Sequence, residues 1–66
     1  MRITLNGREE DIENGATVAD LIALSGLAGK RVAIEINREI VPRSDYAARA
    51  LVADDRVEVV HAIGGG

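Results

Sequence analysis

Apolar and polar residues alternate from the first residue: Met1, Ile3 and Leu5 share one phase, Arg2 and Thr4 the other. A two-residue period places successive side chains on opposite faces of a strand. Asn6-Gly7 follows, and both residues tolerate the positive φ angles of a type I′ hairpin turn. Arg8 to Ile12 is therefore expected to return as a polar second strand near a sheet edge. After the turn signal Asn14-Gly15, the period changes. Val18, Leu21, Ile22 and Leu24 form a helical stripe expected to pack on one face of the sheet. Thr17 is placed to cap that helix, with Asp20 three residues on, where its charge favours the helix N-terminus. Ser25-Gly26 and then Gly29 end it.

Alternation returns in Val32, Ile34 and Ile36 against Ala33, Glu35 and Asn37, the pattern of a half-buried strand. Asn37-Arg38 turns the chain into a short strand, Glu39 to Val41, which Pro42 halts because it has no N–H for the ladder. Between Arg43 and Leu51, Ser44 is expected to cap a short helix or 3-10 turn containing Tyr46. Asp54-Asp55 is a turn, and Arg56 to His61 makes the last strand. The order strand, strand, helix, strand, strand, short helix, strand is that of a β-grasp domain. This is an α+β fold in which four to five strands of a mixed sheet pack against one main helix. Residues 1–63 are expected to form the domain and 64–66 a flexible glycine tail.

Composition narrows the function. A chain of 66 residues holds one small domain without room for a deep enclosed pocket, which weighs against a self-contained enzyme. An apolar content of 47% is enough for a folded core. With no cysteine, disulfides and thiolate metal sites are excluded. The net charge of −3 and the single aromatic residue, Tyr46, argue against nucleic-acid binding. Tyr46 is expected to anchor the Pro42-to-Leu51 segment. No segment has the unbroken apolar length of a membrane span, so a soluble, cytoplasmic protein is expected.

Catalytic arrangements are missing. The two serines, Ser25 and Ser44, sit in no nucleophile motif, and there is no phosphate-cradling glycine loop. Glu9-Glu10-Asp11 and Asp54-Asp55 read as solvated surface carboxylates. His61, in phase with Val57 and Val59, has no second ligand for a metal and reads as a rim histidine. The ending Gly64-Gly65-Gly66 is different. Without side chains it fits a channel too narrow for a Cβ, and extended it reaches roughly 10 Å. An ionised carboxylate is a poor electrophile at neutral pH. It must be activated by a partner before a sulfur or nitrogen nucleophile can attack.

The whole chain resembles the small sulfur carriers of bacterial thiamin (thiazole) biosynthesis, a ubiquitin-like β-grasp family. The likeness rests on the Asn6-Gly7 hairpin, the helix start Thr17-Val18-Ala19-Asp20-Leu21, and the segment Ile36-Asn37-Arg38-Glu39-Ile40-Val41-Pro42-Arg43. It also rests on the ending Val59-Val60-His61-Ala62-Ile63-Gly64-Gly65-Gly66. A diglycine end is shared with the molybdopterin-synthase carrier subunit and with ubiquitin-like protein modifiers, the alternative readings. Ala62-Ile63 before the glycines favours the thiamin branch over ubiquitin.

The resemblance implies a carrier and not an enzyme. A ubiquitin-activating-type adenylyltransferase would use ATP and Mg to adenylate the Gly66 carboxylate; the carrier itself would bind no cofactor and no metal. A cysteine desulfurase or other persulfide donor would convert the adenylate to a thiocarboxylate, and thiazole synthase would take the sulfur. Gly64 and Gly65 would be the tether, and the free chain a monomer. On the last strand Val60 and Ala62 are expected to face away from the helix. With Ile63 they would form a partner-binding strip leading into the glycines, rimmed by Arg38 and Arg43.

Overall fold

The computed structural model describes residues 1–61, of His61 the backbone alone. The strands are β1 (Arg2–Leu5), β2 (Arg8–Asp11), β3 (Val32–Ile36), β4 (Glu39–Val41) and β5 (Arg56–His61). Helix α1 (Val18–Leu24) lies between β2 and β3, and a 3-10 turn, Arg43–Asp45, follows β4. The strands form one mixed sheet in the order β2-β1-β5-β3-β4, with β1 and β5 parallel and the other neighbours antiparallel. This is the β-grasp arrangement, with the last strand at its centre.

Both hairpins are set by their turns. Asn6 and Gly7 have φ of 49° and 82°, and Asn37 and Arg38 have 52° and 71°, the left-handed pair of a type I′ turn. Asparagine and glycine occupy that region at little cost, whereas Arg38 carries a Cβ against the following carbonyl. Thr17 caps α1 in a reciprocal box: its hydroxyl accepts from the Asp20 N–H at 3.2 Å, and the Asp20 carboxylate accepts from the Thr17 N–H at 2.9 Å. At the other end the Leu27 N–H reaches the Ile22 carbonyl and the Gly26 N–H reaches that of Ala23. Gly26 supplies the positive φ of 73° that this closure demands.

The core joins Ile3, Val18, Leu21, Ile22, Ile34, Ile36, Val41, Leu51 and Val57 between helix and sheet. Met1, Leu5, Val32, Tyr46 and Val59 pack at its margin. The alternations of β1, β3 and β5 thus turn their apolar phase to the helix, as the sequence pattern requires. Tyr46 anchors its segment from both ends, its hydroxyl to the Val32 carbonyl and its carbonyl to the Ala19 N–H.

Three expectations are corrected. Leu24 is 75% exposed; at about 100° per residue it lies about 120° from Val18 around the helix, outside the stripe of Val18, Leu21 and Ile22. Ser44 caps nothing: Pro42 holds the N-cap position of the 3-10 turn, and no side chain bonds there. Asp55 is not a solvated carboxylate but is 3% exposed. It accepts from Asn37 Nδ2 at 3.0 Å and from the Val52 N–H at 2.9 Å. Asn37 in turn accepts from the Arg56 N–H at 3.0 Å, so one buried carboxylate ties the β3–β4 turn to the start of β5.

Asp55→Ala should therefore destabilise the fold by about 2–3 kcal/mol, because it leaves two donors unpaired beneath the surface. Asp54→Asn next to it, exposed and at φ 70°, should be nearly neutral; denaturant unfolding of both variants checks the contrast. Arg38→Gly should stabilise by about 1 kcal/mol by relieving the left-handed strain, read as a higher thermal midpoint.

Candidate functional site

The expected reactive group, the Gly66 carboxylate, and its leader Ala62, Ile63, Gly64 and Gly65 lie outside the described residues. So does the His61 side chain. What the structure gives is the base from which that segment leaves, and the surface around it.

The base is β5. Its antiparallel pairing with β3 runs unbroken from Ile36↔Val57 to Val32↔His61, so the last described residue is still in the ladder. On the other side, β1 pairs only at Thr4↔Arg56 and Leu5↔Val57 before its hairpin turns away. The Asn6 side chain extends that contact by accepting the Val59 N–H at 2.8 Å.

The phase of β5 sorts its side chains. Val57 is fully buried and Val59 half-buried against the core, while Glu58 and Val60 face away from the helix. Val60 is 61% exposed. Cross-strand register adds residues that the linear sequence could not place. Ala33 sits opposite Val60, Glu35 opposite Glu58, and Ile40 opposite Glu35. The outer face next to the chain's exit thus carries apolar Val60, Ala33 and Ile40 around two carboxylates held side by side. Like charges in direct cross-strand register oppose folding. Among the described residues the ion pairs are those of Arg2 with Glu9 and Asp11; neither Glu35 nor Glu58 makes a direct one.

The two arginines expected at the rim separate. Arg38, in the β3–β4 turn, stands level with the start of β5, about 17 Å of strand from His61. Arg43, just past β4, stands at the His61 end and lines a shallow concavity with Val32 and Tyr46. The structure therefore puts Val60 and Ala33 on the outer face towards the exit, Arg43 at the same end but lining a helix-side concavity with Val32 and Tyr46, and Arg38 at the far end. Ala33, Glu35 and Ile40 escaped the sequence reading because their neighbours depend on which strands pair and in what register. The exposed phase of β3 was the one signal pointing to Ala33 and Glu35; Ile40, on β4, had none.

Elsewhere the described surface offers little chemistry. Arg2 bonds Asp11 and holds its carboxyl below the ordinary range, first through that hydrogen bond and then through its charge. Both groups are exposed, so the pair contributes little to stability. Among the described residues no cluster of three His, Cys, Asp or Glu side chains is placed to hold a metal. Among the described residues, no helix is long and apolar enough to cross a membrane.

A model of the ThiS family matches residues 2–66. The chain is 46% identical to a thiazole synthase of Magnetococcus marinus and 41% identical to one of Paramagnetospirillum magneticum. Each match covers 100% of this chain and 20% of the relative. The chain therefore spans about a fifth of the length of those relatives. It is also 35% identical to the sulfur carrier protein ThiS of Bacillus subtilis, over 97% of this chain and 98% of that one. The crystal structure of the thiamine biosynthesis protein ThiS from Geobacter metallireducens superposes with a TM-score of 0.84 at 28% identity, each chain covered completely. The family match runs to the terminal glycine and the superposition covers the whole fold: this chain belongs to the ThiS family.

Proposed function

We propose that this chain is the sulfur carrier of thiamin thiazole biosynthesis and that its working group is the Gly66 carboxyl. The observation that carries the reading is the descent of a glycine-only end from the central strand of the sheet. The rest of the described surface offers no competing constellation of reactive side chains.

The chemistry runs through partners. A ubiquitin-activating-type adenylyltransferase binds Mg-ATP; a Gly66 oxygen attacks the α-phosphorus and pyrophosphate leaves. A persulfide supplied by a cysteine desulfurase or another donor attacks the acyl carbon and AMP leaves. A thiol then cleaves the S–S bond, so that the carrier ends in a thiocarboxylate. Its sulfur is a strong nucleophile on a thin tether, which Gly64 and Gly65 let into a narrow channel. Thiazole synthase takes that sulfur. The relatives called thiazole synthase support this last partner.

Docking falls to the outer sheet face. Val60 and Ala33 supply apolar contact, to which the sequence would add Ala62 and Ile63; Glu35 and Glu58 suit a basic side chain on the partner. Arg43 shares the tail end of the sheet and Arg38 does not, so of the two arginines Arg43 is the nearer to the exit, from the helix side.

Deleting Gly65 and Gly66 should abolish thiazole formation in a reconstituted system while the thermal midpoint stays unchanged; retained activity contradicts the proposal. Glu58→Gln should stabilise the free chain slightly, by about 0.3 kcal/mol. It should also weaken binding to thiazole synthase several-fold at low salt, an effect that fades as salt rises. Calorimetry across a salt series checks it.

A further inference from the structure

The backbone of β5 leaves one lane of the sheet empty beside the tail. Successive residues of a strand turn their N–H and C=O groups to opposite sides. The Arg56 carbonyl accepts from the Asn37 N–H, on the β3 side. The Val57 carbonyl accepts from the Asn6 N–H and the Val59 N–H donates to Asn6 Oδ1, on the β1 side. By the same alternation the Val59 C=O and the His61 N–H also point to the β1 side. Among the described residues no strand lies there, because β1 ends at Leu5 and the Asn6-Gly7 turn carries the chain away into β2. Among the described residues neither group is given a partner. A central strand thus has an open edge over its last residues.

That edge differs from the two outer edges of the sheet. β2 presents Arg8, Glu9, Glu10 and Asp11, and β4 runs into Pro42. Charges and proline are the usual defences against unwanted strand pairing. Val59, Val60 and His61 carry neither. The spare groups are one carbonyl and one N–H flanking a single residue, the spacing of an extended peptide and of no single side chain.

We propose that thiazole synthase lays an extended segment of its own backbone into the lane that β1 vacates, hydrogen-bonding the Val59 C=O and the His61 N–H. The inference rests on the reading of thiazole synthase as partner. That occupant is favoured over a second copy of this chain on two grounds. In the relatives at 46% and 41% identity the region alike to this chain is one fifth of a protein called thiazole synthase. Two copies, each at −3, repel one another. Strand addition fixes the direction in which the chain leaves β5, so the glycines enter the partner already extended.

Amide exchange on the full-length, isotope-labelled chain tests this, with and without purified thiazole synthase. Saturation with the synthase should slow exchange of the His61 amide about tenfold or more. The Val60 amide, which faces β3, should change little. His61→Pro removes a donor that β3 does not use. It should keep the fold and weaken binding about five- to tenfold relative to His61→Ala, the worth of one strand hydrogen bond. An unchanged His61 amide in a formed complex overturns the inference while leaving the carrier reading intact, as does equal binding by the proline and alanine variants. If His61→Pro unfolds, the exchange of the unmodified chain decides alone. Protection of His61 that rises with carrier concentration, without synthase, assigns the lane to a second copy and contradicts the proposal. Absence of any complex refutes the partner and this inference together.

Discussion

The parallel pairing of β1 with β5 is the constraint on which the rest of the molecule depends. It draws the start of the last strand between β1 and β3, so that β5 is anchored in the middle of the sheet before its final residues run on beside β3 alone towards the glycines. Only four β1–β5 residues are in register, and side chains complete the join. Asn6 holds the Val59 N–H, Asn37 holds the Arg56 N–H, and Asp55 holds Asn37. The two hairpin asparagines thus serve twice, once for their tolerance of positive φ and once as clamps on β5.

A rigid base and a thin end divide the work. A reaction at the end of a tether profits when the tether's origin is fixed, because fewer orientations must be lost as the reacting group enters a partner's site. In the proposed carrier role the core between α1 and the sheet would supply that fixity, and the glycines access. The outer face shows the opposite balance. There Glu35 stands in register with Glu58, with Val60 and Ile40 exposed beside them, an arrangement that cross-strand pairing alone does not favour and that the proposed docking would complete.

Much of this was legible in the sequence, and for identifiable reasons. Turn chemistry at Asn6-Gly7 and the capping box at Thr17 and Asp20 are local, so residue types a few positions apart determine them. The faces of β3 and β5 follow from a period of two. Apart from Leu24, what escaped was non-local. Asp55 looked like any turn carboxylate because its donors, Asn37 and Val52, come from a turn 18 residues away and from its own loop. Leu24 was one residue too far around a helix of two turns. Arg38 and Arg43 are five positions apart in the chain, yet β4 carries them to opposite ends of the sheet. The proposal for the tail rests on sequence alone, because residues 62–66 lie outside the described structure.

The central claim is that activation occurs at the terminal carboxyl and nowhere else. The most direct test is intact and fragment mass spectrometry after incubation with Mg-ATP, a persulfide donor and the adenylyltransferase. A gain of about 16 Da, the exchange of one oxygen for sulfur, confined to the fragment ending in Gly66, is the result this account predicts. No gain, or a modification that maps to residues 1–61, would contradict it.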